Sequence, residues 1–541
     1  MATSATLGSD SQRAQSMSHP FDQLMVPTQN KTTLTLPPLT EYSSAAKRNA
    51  TLNSDILLDG EPLTTFRLKA RSAAIDIARA YTLSLGLDPG PVADPAALVI
   101  GSGHQPVHFH AGIMIKPVAL VRAARELGAT PLFMTVDSDE FRAEYLPLPS
   151  MENDKLERLE YPLFPMKKHG LYETTEAEPV EDMLDRLRGM VGYMAHPRLA
   201  SPRRALESYL ATLGDRRLDF PDYVSRAIVM RRAWLAPEVD GFLELPVSAL
   251  SKDITFLRFA SFIMADIERF AGEYNLALDE YRRERKLRYP ANPFPNLETH
   301  NGLIQAPFWV VEGGGRRKLY VKVAGGKASA LVLENGEEFP MTSLMERIVA
   351  IRPKAITLSL YLRLALSDLF IHGVGGAKYD HVTDAILERY FQARPPESAC
   401  LSAALWIDIS ADDPRQDIAE TERRIREIEQ HPEKAGAGVP EVDRLAALKK
   451  ELVLTIKAPG ADKKSIGASI SELNRLMAAE LSDERSALCV ELERLAPLEM
   501  ERLAAQARDY PCFICARPPL FELAELNVSL PRDNPYRYQT P

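Results

Sequence analysis

The segment Ala96-Ala-Leu-Val-Ile-Gly101 is a short apolar run ending in glycine, and helical spacing over 113–127 and a second apolar run over 130–136 follow at once. An apolar run with no alternation is what a strand buried on both faces requires. Strand, glycine turn, helix and strand in that order make one βαβ unit, the building block of a doubly wound parallel sheet. Because right-handed crossovers place such helices on both faces of the sheet, this unit commits a large part of the chain to an α/β architecture.

The rest of the pattern is consistent with that commitment. Helical spacing is expected over 64–85, through most of 180–290 with a long amphipathic stretch at 254–285, and again over 358–391; a further strand is expected over 403–410. Residues 305–312, 318–323 and 329–334 are β-rich and separated by glycine turns, the pattern of an antiparallel meander. From 414 to 505 the apolar residues fall into helical stripes (Ile418, Ile425, Ile428; Leu445, Leu448, Leu452; Ile466, Ile470, Leu473, Met477) set among dense charge, with breaks at 431–440 and 458–462. We expect an antiparallel hairpin of coiled-coil character there; helices packed flat on the body are the alternative. The expected organisation is therefore an irregular segment over 1–45, an α/β core with helical and meander insertions over 46–413, the helical hairpin over 414–505, and a C-terminal segment over 506–541 packing on the core.

Bulk properties narrow the function. A formal charge of −9 lacks the basic footprint of a nucleic-acid binder. No apolar run approaches the roughly 20 residues of a membrane span, and the first residues have no apolar signal core. Four cysteines in 541 residues are too few for a disulfide-stapled secreted protein, so the cytoplasm is the expected location. Neither a G-x-S-x-G elbow nor a P-loop occurs.

Three constellations carry chemistry. The first runs from Gly101 to Lys116 and contains Gly103, His104, Gln105, His108, His110 and Gly112. Glycines at a strand end let backbone N–H groups approach a ligand, and the start of the next helix favours a phosphate or carboxylate. Lys116 adds a full positive charge. The same histidines, with Asp137 or Asp139, could instead hold a metal. The second constellation, Val136-Asp-Ser-Asp-Glu-Phe-Arg142, ends the next strand in carboxylates suited to a ribose, an amine, Mg²⁺ or a proton-transfer role. In the third, Phe370-Ile-His-Gly-Val-Gly-Gly-Ala-Lys-Tyr-Asp-His381, Gly373, Gly375 and Gly376 interrupt a helical pattern beside His372, Lys378 and Asp380, as though backbone must approach a ligand. A basic run (Arg282, Arg283, Arg285, Lys286, Arg288) reads as a solvated helix end, Gly313-Gly-Gly-Arg-Arg317 as a hairpin turn, and Cys512 and Cys515 as plain buried cysteines.

The order of Gly103-His-Gln-Pro with His110-Ala-Gly112, Val136-Asp-Ser-Asp-Glu-Phe141, Phe370-Ile-His-Gly-Val-Gly-Gly-Ala377 and a charged helical hairpin resembles the bacillithiol biosynthesis cysteine-adding enzyme family. This chain looks like a divergent relative: it has Gly103-His104-Gln105 where that family typically has Gly-Gln-Gln, and Ser138 where it has a histidine between the acids. The resemblance implies a Rossmann-like core of the HxGH nucleotidyltransferase and synthetase type, a coiled-coil insertion and a homodimer. It also implies a ligase or transferase that joins a cysteine-like amine to a small-molecule carboxylate, with ATP or another adenine nucleotide, and Mg²⁺ beside it, activating the carboxylate. On that reading His104, His108 and His110 hold and neutralise phosphates, Lys116 assists, and Asp137 or Asp139 orients the amine or accepts its proton. A metal-dependent enzyme built on His104, His108 and His110, and a non-catalytic nucleotide-binding scaffold acting through its coiled coil, are the rival expectations.

Overall fold

The computed structural model describes residues 21, 24–107, 110–141, 143–164, 170–346, 349–518 and 522. His108 and Arg142, and nearly all of the expected C-terminal segment beyond residue 518, lie outside them. The architecture is mixed α/β around a six-stranded sheet with strands β1 (Thr32–Leu36), β2 (Val99–His104), β3 (Thr130–Thr135), β4 (Leu243–Pro246), β5 (Leu369–His372) and β6 (Ser398–Ala404). Their order across the sheet is β1-β6-β5-β2-β3-β4. All neighbours are parallel except β1, which runs antiparallel on the β6 edge. The chain thus builds outward from β2 through β3 to β4, then returns to add β5 and β6 on the other side. The direction of winding reverses between β2 and β5.

Both faces of the sheet are covered, and the period-2 geometry of strands sorts side chains between two cores. Ile100, Phe133, Leu369 and Ile371 face one core, shared with helix α2 (Ala111–Leu127). Val99, Leu132, Met134 and Phe370 face the other, shared with α1 (Leu63–Ser84) and α3 (Val374–Arg389). Asp368 joins the layers at the start of β5. Its carboxylate accepts hydrogen bonds from Arg67 and Arg71 of α1, each at 2.7 Å, and from the Val99 backbone N–H at 2.8 Å.

The meander forms as expected, with antiparallel strands Leu303–Glu312, Gly315–Ala324 and Lys327–Leu333, and Ile351–Pro353 adds to its first strand. Gly313 and Gly314, at φ of 58° and 79°, make the tight turn that the sequence marks there. The helical arm is two stacked antiparallel pairs. Helix α4 (Arg415–Gln430) lies along α7 (Ser482–Ala505), and α5 (Pro440–Thr455) along α6 (Lys463–Glu480). Ile428, Val442, Leu445, Met477 and Leu481 form its own small core. Arg424–Glu484 and Arg485–Glu429 ion pairs at 2.7 and 2.8 Å join the outgoing and returning helices. Past the arm, Tyr510, Cys512, Phe513, Ile514 and Cys515 are buried in the main core, both cysteines as free thiols. Among the described residues no helix is long and apolar enough to cross a membrane.

The structure corrects five expectations and adds one unexpected hairpin. Residues 32–36, inside the segment read as irregular, form β1; a five-residue edge strand with short threonine–leucine alternation is too brief to signal itself. The stretch 358–391, read as helical, contains the buried strand β5, because a leucine-rich run enclosed on both faces has no diagnostic period. β4 lies within 180–290 for the same reason, and Glu144–Glu152 with Lys155–Phe164 forms an unexpected antiparallel hairpin. The stretch 254–285 is two helices (Ile254–Ala265 and Ile267–Glu284), broken at Asp266, and the strand expected at 403–410 ends at Ala404.

Candidate functional site

β2, β3 and β5 end on one edge of the sheet, where the winding reverses, and α2 and α3 start beside them. In open α/β sheets this carboxyl edge at the reversal is where ligands bind. The register aligns Gly101, Ser102, Gly103 and His104 of β2 with Leu132 to Thr135 of β3, and Gly101 and Ser102 with Phe370 and Ile371 of β5. The ends of the three strands are therefore neighbours by construction.

Gly101 and Gly103 lie within β2 and serve close packing rather than a ligand. A Cβ on Gly103 would meet the Met134 carbonyl oxygen at 2.6 Å, and one on Gly101 would strike Ser367 and Phe370. Gly103→Ala is therefore expected to cost about 1–3 kcal/mol in urea unfolding, since a backbone oxygen cannot rotate away. A loss below about 0.5 kcal/mol would show that β2 and β3 can separate at this point.

Around the start of α2 the chemistry is denser. His110 caps the helix, its Nδ1 accepting from the Gly112 N–H at 3.0 Å. Burial, with Arg508 nearby, lowers its ionisation to about 4. His104 is half-buried at the strand end, and burial followed by the charge of Lys116 holds it well below the ordinary histidine value. Both shifts favour the neutral imidazole. The two rings act as hydrogen-bonding groups, and positive charge comes from elsewhere. Lys116 is 3% exposed and donates to the Gly103 carbonyl at 2.5 Å; burial first, then Arg231, lowers its ionisation to about 7. Arg508, from beyond the arm, donates to Ser402 Oγ at 3.2 Å, and its Nη2 lies 2.6 Å from where a Cβ on Gly112 would stand. A guanidinium thus crosses the first turn of α2, and only glycine at position 112 leaves it room.

The two acids after β3 diverge. Asp137 is 2% exposed and accepts from the Ser248 N–H at 2.9 Å and from Ser248 Oγ, so it caps the short helix after β4. Burial, only partly offset by those bonds, raises its ionisation to about 6. Asp139 faces the site: one oxygen accepts from Gln105 Nε2 at 2.9 Å, the other from Arg316 Nη1 at 2.6 Å. Gln105 therefore ties the first constellation to the second, and Arg316 brings the meander turn over both. Arg352 and Glu173 form a buried pair next to this strand end, at 2.6 Å.

At β5 the glycine-rich segment is a strand end and a helix start rather than an interrupted helix. His372 ends the strand, and Gly373 is the N-cap of α3. His372 Nε2 lies 2.9 Å from Asp380 Oδ2, and Arg363 lies 2.7 Å from the same oxygen. Burial opposes ionisation of Asp380, but Arg363 and His372 outweigh it and hold the carboxyl below its usual range. Gly376 allows the His372 ring to lie against α3, while Gly373 and Gly375 border open space. Lys378 is half-buried, and its charge is felt at Cys400, whose burial pushes the thiol up to about 12.

The arrangement brings together His104, Gln105, His110, Gly112, Lys116, Asp139, His372 and Gly373, and leaves Asp137, Gly101 and Gly103 to structural duty. Arg316 and Arg508 escaped sequence reasoning. The first follows a glycine turn that reads as surface, and the second lies far downstream with no motif around it. Among the described residues no group of three or more His, Cys, Asp or Glu side chains is placed to share a metal ion. A cleft of about 650 Å³ lies away from this edge, between the Lys155–Arg158 strand and Pro497, Met500 and Leu503 of α7. A scan of the chain against protein-family models finds no match, and a search of curated proteins finds none either.

Proposed function

We propose that the chain is a nucleotide-dependent ligase or transferase that forms a C–N bond between a small carboxylate and an amine, on a Rossmann-like core with a coiled-coil arm. The observation that carries this reading is the convergence of the ends of β2, β3 and β5 and the starts of α2 and α3 at the reversal of winding. The strand sequence β4-β3-β2-β5-β6 is that of doubly wound nucleotide-binding sheets. A scaffold has no need for such a meeting of polar groups.

A carboxylate at neutral pH is a poor electrophile, so its oxygen first takes a phosphoryl group from ATP with release of ADP, or an adenylyl group with release of pyrophosphate; the amine then attacks the carbonyl carbon and expels phosphate or AMP. The positive end of α2, with Arg508, suits the phosphates, and neutral His104 donates or accepts a hydrogen bond beside them. Asp139, steadied by Gln105 and Arg316, orients the amine. His372, held by Asp380, takes the proton that the amine sheds.

The test is thermal stabilisation of the purified chain across ATP, ADP, AMP, cysteine and divalent metals. A ligand at 100 times its Kd adds about 2.7 kcal/mol. We expect an adenine nucleotide to stabilise the chain and His104→Ala to abolish the shift while leaving the unliganded transition in place. Stabilisation by Zn²⁺ alone, or an unchanged ATP shift in His104→Ala, would overturn the assignment.

A further inference from the structure

Next to the Asp139 edge of the sheet, the meander and the helix that follows it assemble a group that the reaction above leaves unused. Trp309 is a half-buried ring on the first meander strand. Lys354 Nζ lies 4.5 Å from its centroid and the Arg316 guanidinium carbon 5.2 Å from it. Arg316 is anchored on Asp139, one hydrogen bond from Gln105. Glu298, whose charge reaches Lys354, is already engaged by Lys318 at 2.6 Å and by Tyr320 Oη at 2.7 Å, and Glu140 lies 3.5 Å from Arg316 Nη2. Lys354 has no carboxylate or carbonyl partner for its ammonium among the described residues.

Two cations beside one aromatic ring repel each other. A cation–π contact, worth about 0.5–2 kcal/mol, does not replace the water lost from a half-buried ammonium. Burial first, with Lys318 and Arg316 adding to it against Glu298, lowers the ionisation of Lys354 to about 7. An anion in contact with Lys354 and Arg316 would relieve the repulsion and restore the missing hydrogen bonds, with the indole as an apolar floor.

We propose that Trp309, Arg316 and Lys354 form an anion subsite for a carboxylate or phosphate group of the small molecule whose reacting end lies at Gln105 and Asp139. The identity of that molecule as a ligase substrate rests on the function proposed above; the subsite does not. It selects for substrates that carry a second anionic group, separate from the group that reacts.

The test uses full-length chain labelled with 5-fluorotryptophan, whose three indole signals are assigned with Trp309→Phe. Succinate and inorganic phosphate are titrated separately and followed by ¹⁹F NMR. We expect one of them to shift the Trp309 signal saturably while Trp234 and Trp406 stay fixed, and Lys354→Met to weaken that binding at least tenfold. A response to succinate alone assigns a carboxylate, and one to phosphate alone a phosphate. No saturable shift with either anion, or equal affinity in Lys354→Met, overturns the subsite. Should Lys354→Met fail to fold, acetylation of Lys354 in the unsubstituted chain at pH 7 replaces it. The bound anion is expected to slow that acetylation at least fivefold relative to exposed lysines, and no protection overturns the subsite. ATP-induced stabilisation is recorded on the same samples. A chain in which Trp309 responds but ATP does nothing keeps the subsite and loses the nucleotide reading.

Discussion

Lys116→Met is expected to make the folded chain more stable, by up to about 5 kcal/mol below pH 7, and to abolish stabilisation by ATP. In the unfolded chain this lysine titrates near 10.5, whereas in the fold burial lowers it to about 7. Between those values the unfolded chain holds a proton that the folded one has shed, so stability from this residue rises with pH. Below pH 7 both states are protonated and the full penalty of a buried ammonium applies. Methionine removes that penalty, so its gain is largest at pH 6 and fades by pH 10. Loss of the bond to the Gly103 carbonyl returns about 1 kcal/mol. Urea unfolding of both proteins at pH 6 and pH 10 measures the difference. A variant less stable than the parent at pH 6 would mean that the fold compensates the charge. An ATP shift that survives would remove Lys116 from the site. A buried cation whose sole described hydrogen bond is to one carbonyl is the kind of strain that ligand binding relieves.

The opposite sign is expected at Asp368. Asp368→Ala leaves Arg67 and Arg71 buried with a lost counter-charge and opens the Val99 N–H, and the expected loss is roughly 3–5 kcal/mol in urea unfolding. Two features bound the effect. Arg71 Nε also donates to the Leu366 carbonyl at 2.9 Å, and Arg67 reaches the Ser367 carbonyl at 3.4 Å. A loss under 1 kcal/mol would show that these carbonyls can hold both guanidinium groups unaided. Because Asp368 immediately precedes β5, four residues before His372, its loss should also weaken ATP binding through displacement of the strand.

The βαβ unit at 96–136 was legible because its helix is long and its apolar runs end at glycine and acid, signals that depend on local sequence alone. The meander was legible for the same reason: its turns need glycine at positive φ. β4 and β5 were not, since four residues buried on both faces show no alternation and sit among leucines that suit a helix equally well. The site divides along the same line. His104, Gln105, His110 and Asp139 stand in local motifs at strand ends. Arg316, Arg508 and Lys354 reach the edge from separate elements, and nothing in their own neighbourhoods announces it. Asp137 shows the converse. Its motif looks catalytic, yet the fold turns it inward onto Ser248, a contact set by the tertiary path of β4.

The pairing of Leu36 with Cys400, and the return of the chain through the arm to lay Arg508 across α2, bear on how the protein is made. On a ribosome the first strand emerges early and has no edge to join until β6 has been synthesised. The turn at His110 emerges soon after it and stays without its guanidinium until the arm has folded back. Pairings this distant in sequence are slow to form, because loop closure must precede the contacts that reward it. The edge that carries the candidate site is therefore among the last parts of the molecule to be completed, since Arg508 must be synthesised and the arm folded before its guanidinium reaches α2.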